Sequence, residues 1–117
     1  ADILRDSAGK VEDYVKDLDR APRKFIKPLI NELNQLLSAS RIDGALDATS
    51  GMKLFDLASR TLEKINALDQ AGKLADSDAV EARLACYKLL GQLASMDALK
   101  GKIDLGKPPA DRADEDV

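Results

Sequence analysis

The chain is predicted to fold entirely into α-helices, and three observations carry that prediction. Ala and Leu dominate its 117 residues while aromatic residues make up only 3%, so helix is favoured and the side chains that fill pleated surfaces are scarce. Glycine and proline are sparse, 7 and 4 respectively. Apolar residues recur at intervals of three and four in four separate stretches, the period of one helix face. Four short helices joined by brief connections suit an up-down antiparallel four-helix bundle, expected over residues 1–101, and the length fits one domain.

The first stripe is Ile3, Leu4, Ala8, Val11, Tyr14, Val15 and Leu18. Glu12 precedes Lys16 by four residues on the polar side, the favourable order for a helical ion pair. Gly9 weakens the middle of this stretch, which places the expected start of the ordered helix near Lys10. Asp19-Arg20-Ala21-Pro22 then reads as a corner, with Asp19 able to cap free N–H groups and Pro22 suited to an early helical position.

The second stripe runs Phe25, Ile26, Leu29, Ile30, Leu33, Leu36, Leu37, in a helix from about Pro22 to Ala39 that Pro28 is expected to kink. Residues 40–51 are expected to connect it to the next helix, given the loop chemistry of Ser38 to Gly44 and a further weak point at Gly51. The third stripe is Met52, Phe55, Ala58, Leu62, Ile65 and Leu68, closed by Ala71-Gly72. Asp78 and Glu81 have capping-box spacing for a fourth helix, whose stripe is Val80, Leu84, Tyr87, Leu90, Leu93, Ala94 and Leu99 and which Gly101 closes. Residues 102–117, with Pro108-Pro109 and then Asp111, Asp114, Glu115 and Asp116, are expected to form a mobile acidic tail. The expected core is Leu33, Leu37, Phe55, Leu62, Ile65, Leu84, Leu90 and Leu93.

Composition narrows the function classes. Eighteen basic residues face 21 acidic ones for a net charge of -3, a mixed surface that argues against a nucleic-acid partner. A charged residue interrupts every long apolar segment, so no membrane span is expected. The chain has no His and a single Cys, which removes the commonest general base and metal ligand and any internal disulfide. Cys86 stands among Leu84, Ala85, Leu89 and Leu90 and reads as a small buried hydrophobe, having no His to lower its pKa. The acidic pairs Asp17 with Asp19 and Glu12 with Asp13 read as solvated surface, and a di-metal bundle would need the missing His residues. Isolated Gly44, Gly51 and Gly72 lack a phosphate-cradling context, while Gly91, inside a strong helical pattern, reads as a site of close helix approach. No catalytic residue, cofactor or metal ligand is assigned.

The least generic feature is a run of four cations within eight residues, Arg20, Arg23, Lys24 and Lys27, with no acid among them. It has two readings: a solvated helix terminus, or an electrostatic docking patch for an acidic protein or lipid surface, on a corner stiffened by Pro22 and Pro28. The chain starts on Ala1 without an apolar signal core, which fits a mature product stripped of its targeting segment or a start chosen for expression.

The stretch from Tyr14 to Ile30, YVKDLDRAPRKFIKPLI, followed by helical periodicity through about Leu99, resembles the PsbQ-like extrinsic proteins of photosystem II, especially the small extrinsic subunit of red-lineage plastids. The resemblance implies a cofactor-free, non-catalytic subunit in the thylakoid lumen of a plastid, peripheral to the membrane and bound as a monomer to the photosystem II core and other extrinsic subunits. Such a subunit would support oxygen evolution by stabilising the protein surroundings of the manganese cluster and its calcium and chloride retention, without binding manganese itself. A generic helical adaptor or regulatory module is the alternative.

Overall fold

The structure is a computed structural model that describes residues 2–42 and 46–96. It is all-helical, with four helices and no strand among the described residues: α1 (Asp2–Asp17), α2 (Pro22–Ser40), α3 (Ala48–Gln70) and α4 (Asp76–Ser95). α1 begins eight residues before the expected Lys10 and carries Gly9 in its interior. Leu4, Ser7 and Val11 are buried on its inner face, and packing of that face outweighs the roughly 1 kcal/mol that a mid-helix glycine costs.

The corner between α1 and α2 is closed by backbone bonds, Leu18 N–H to the Tyr14 carbonyl at 2.9 Å and Ala21 N–H to the Asp17 carbonyl at 3.0 Å. Pro22 opens α2, but the capping position belongs to Ala21 and no side chain caps the helix. Asp19, expected to cap, is instead paired with Lys64 of α3. α2 continues through Pro28 to Ser40 as one helix.

The following connection is shorter than the expected 40–51, because α3 starts at Ala48. Asp47 caps it, its carboxylate accepting the Ser50 N–H at 2.8 Å, so Gly51 falls within the first turn and is buried. Where α3 ends, Gly72 adopts a left-handed φ of 72°, the conformation glycine adopts without a Cβ penalty. Its N–H reaches the Asp69 carbonyl at 3.0 Å and the Lys73 N–H reaches the Leu68 carbonyl at 2.9 Å, a paired closure of the last free carbonyls.

α4 begins after Ala75 without a side-chain cap, so the expected capping box of Asp78 and Glu81 does not form. Asp76 and Asp78 lie in the first turn instead, where negative charge meets the positive end of the helix dipole. α4 ends at Ser95 rather than at Gly101; Leu99, Gly101 and the tail 102–117 lie outside the described residues.

Helix α2 packs on α1 and on α4, α4 packs on α3, and α1 touches α3 only lightly. The core is built from Leu4, Val11 and Leu18 of α1 and its corner, Ile26, Leu29, Ile30, Leu33 and Leu36 of α2, Leu54, Leu57, Ala58 and Ile65 of α3, and the inner face of α4. Leu46 and Leu74, in the connections, close its ends. Of the expected core, Leu33, Leu37, Ile65, Leu90 and Leu93 are buried, and Phe55 and Leu62 are partly buried against the cluster.

Leu84 is not in the core: it is 49% exposed. The buried face of α4 is Ala79, Ala82, Ala85, Cys86, Leu89, Leu90 and Leu93, on the opposite side from the bulky stripe of Val80, Leu84 and Tyr87. Small side chains let α4 approach both α2 and α3 closely, and that packing decides which of its two apolar faces is buried.

Buried hydroxyls satisfy themselves locally, Thr61 donating to the Leu57 carbonyl at 2.7 Å and Ser40 to the Leu37 carbonyl at 2.8 Å. The exception among the described residues is Glu32, buried with its Oε1 unpartnered.

Candidate functional site

The four cations singled out by the sequence sit together at one end of the fold, but they are not equivalent. Arg20 donates to Asp17 at 2.6 Å and lies 5.7 Å above the centre of the Phe25 ring. Lys24 lies 5.5 Å from the same centre. Phe25 is itself half-buried and tilted against Tyr14, 6.3 Å between ring centroids. One ring at the root of α2 thus holds two cations by their attraction to its face.

Lys27 extends across to Asp78 in the first turn of α4, 3.9 Å away. Arg23 is exposed and has no ion-pair partner among the described residues. The run of four therefore divides by ion pairing: Arg20 and Lys27 meet carboxylates of the fold, whereas Arg23 and Lys24 are exposed without an ion-pair partner among the described residues. Asp19, paired with Lys64, brings the end of α3 into the same corner. These pairs contribute little stability each; they link α2 to α4 and the α1–α2 corner to α3 at this end.

A second feature follows from the light contact between α1 and α3. A groove runs between them, with Leu4, Leu46, Leu54 and Leu57 along its floor and Arg5, Glu12, Lys53 and Arg60 on its rim. Arg60 spans it, 2.8 Å from Asp56 on its own helix and 4.0 Å from Glu12 on α1. Nothing in the local sequence marks this groove, because it arises from which helices pair.

The nucleophile inventory is short. Cys86 is fully buried, and burial pushes its thiol from 9.0 up to about 12, so the thiolate needed for attack or metal binding is disfavoured. Among the described residues no group of three or more Cys, Asp or Glu side chains gathers to hold a metal ion. No helix among them is long and apolar enough to cross a membrane.

Sequence reasoning placed Val80, Leu84 and Tyr87 on the apolar stripe of this helix and Leu84 in the core, whereas they form an exposed apolar row at 57%, 49% and 56% of full exposure. The missed signal was the second stripe on α4, whose alanines also recur at helical spacing. No protein-family model, no curated protein sequence and no solved structure matches this chain.

Proposed function

We propose that this chain is a non-catalytic docking subunit, peripheral to a membrane, that seats its basic corner on an acidic surface of a larger complex. The specific form of this reading is the one its resemblance to PsbQ-like proteins implies: a subunit in the thylakoid lumen, its helices in up-down antiparallel order, bound to the photosystem II core beside other extrinsic subunits and stabilising the oxygen-evolving centre.

The observation that carries the reading is the division of the corner. Arg23 and Lys24 are exposed at the start of α2, on a backbone held by Pro22 and by the pairs from Arg20 to Asp17 and Lys27 to Asp78. Two outward cations on an ordered helix end lose less freedom on docking than a flexible basic tail would, and their field steers the approach to an acidic partner.

The test is a rebinding series on salt-washed membranes. Screening shortens from about 10 Å at 0.1 M salt to about 3 Å at 1 M, so high salt without detergent releases the protein. Arg23→Glu with Lys24→Glu lowers rebinding with helicity unchanged. Equal rebinding by parent and variant across the salt series rejects the docking corner. A generic helical adaptor is the alternative, favoured by the internal use of Arg20 and Lys27 and by the exposed apolar row on α4.

A further inference from the structure

The exposed side of α4 carries a pattern that the packing of the described residues does not use. Val80, Leu84, Tyr87, Gly91 and Ala94 follow one another at spacings of four, three, four and three, the seam repeat of paired helices. At 3.6 residues per turn these five positions lie within about 80° of arc. Val80, Leu84 and Tyr87 are 57%, 49% and 56% exposed. Gly91 is exposed too, and a Cβ built on it meets nothing within 4 Å. The close approach that a mid-helix glycine suggested is therefore absent among the described residues.

We infer that this face is an interface between two copies of the chain, α4 against α4 in antiparallel orientation about a two-fold axis, in place of the single copy expected from the sequence. Two features select this occupant. First, the stripe is complementary to itself: the antiparallel register that sets Leu84 opposite Tyr87 of the second copy also sets Val80 opposite Gly91 and Ala94 opposite Ser77, so that at the Val80–Gly91 step a larger side chain meets a smaller one. Gly91 supplies the close approach that Val80 needs.

Second, the flanking charges agree with that orientation and oppose the other. Glu81 and Lys88 are exposed on one side of the stripe, seven residues apart, and neither has an ion-pair partner among the described residues. An antiparallel two-fold brings Glu81 of each copy to Lys88 of the other, twice. A parallel pair would set Asp76 against Glu81 and Arg83 against Lys88, like charge against like. The seam contains none of the corner cations, so the dimer leaves Arg23 and Lys24 free, and its failure and that of the docking corner are separable.

An interface of about two heptads is small, so association is read by sedimentation equilibrium of the full chain from low micromolar to about 1 mM. The expected result is a reversible monomer–dimer equilibrium. Leu84→Lys, placed at a half-exposed site, raises the dissociation constant about 100-fold with unchanged far-UV circular dichroism. Glu81→Lys alone and Lys88→Glu alone each raise it about 5- to 10-fold, and the two together restore it. Because both charges are on the surface, this swap remains decisive if the Leu84 variant misfolds.

A chain monomeric throughout the range overturns the inference. Nitration of Tyr87, read by mass spectrometry, then says why: shielding shows that the chain's own residues cover the stripe, and full reactivity shows that it is open to a different partner. A dimer indifferent to both the Leu84 change and the charge swap places the interface elsewhere and overturns it equally.

Discussion

Replacing Leu89 and Leu84 separately by Ala tests the rotation of α4 directly, because the two residues lie on opposite sides of one helix. Leu89 is 1% exposed and Leu84 is 49% exposed. At Leu89 the change removes three buried carbons, worth about 0.8 kcal/mol each in transfer, and leaves a cavity that α2 and α3 cannot fully close. The total expected is about 2–5 kcal/mol. At Leu84 the chain keeps its packing and gains a slightly better helix former, so the expected change stays within about 0.5 kcal/mol. Urea unfolding followed by circular dichroism at low micromolar protein, where two copies do not associate, resolves the difference. With a slope of about 1–2 kcal/mol per molar urea, Leu89→Ala moves the midpoint down by about 1 M or more, and Leu84→Ala leaves it in place. If Leu84→Ala loses as much as Leu89→Ala at that concentration, the assignment of the buried face is wrong.

Four further outcomes are expected. Gly9→Ala raises stability by about 0.5–1 kcal/mol in the same assay, because its φ is not positive and a Cβ there meets nothing within 4 Å. Glu32→Met raises it by about 1 kcal/mol, since the present carboxylate is buried with one oxygen unpartnered. Asp47→Ala lowers the melting temperature; the Ser50 N–H bond holds the Asp47 carboxyl below its ordinary value, so its contribution is present above the unfolded pKa and is lost as pH falls through the folded one, and the variant's acid limb is correspondingly flatter. Burial raises the Cys86 thiol from 9.0 to about 12; the unfolded chain ionises first, so stability is complete below about pH 9 and falls toward pH 12, and alkylation of Cys86 in the native state proceeds only at the rate of opening.

How far the sequence could be read depended on how many faces each helix offered. In α2 the apolar residues form one stripe against a polar remainder, and the expected positions from Ile26 to Leu37 are buried, with Phe25 half-buried beside them. In α4 two apolar stripes lie back to back, and the expected stripe mixed them: its Leu90 and Leu93 are buried, whereas its Val80, Leu84 and Tyr87 are exposed. The face of Ala79, Ala82, Ala85, Leu89 and Leu93 is the buried one because α4 packs on both α2 and α3, a tertiary fact that periodicity does not carry. The early start of α3 had a local trace in Asp47 and its spacing to Ser50, masked by Gly51, a residue that ordinarily weakens a helix. The basic corner was visible as a run of cations. Its division into ion-paired and unpaired cations was not, since Lys27 meets an aspartate 51 residues further along the chain and Asp19 meets Lys64.

The most direct measurement of the functional account is fractionation of the source membranes with a co-purification test. The account predicts recovery of this chain with photosystem II on the lumenal side of thylakoid membranes, release by about 1 M salt without detergent, and weaker recovery when Arg23 and Lys24 are reversed. Recovery away from photosystem II, or a membrane association that salt does not disturb, would contradict it.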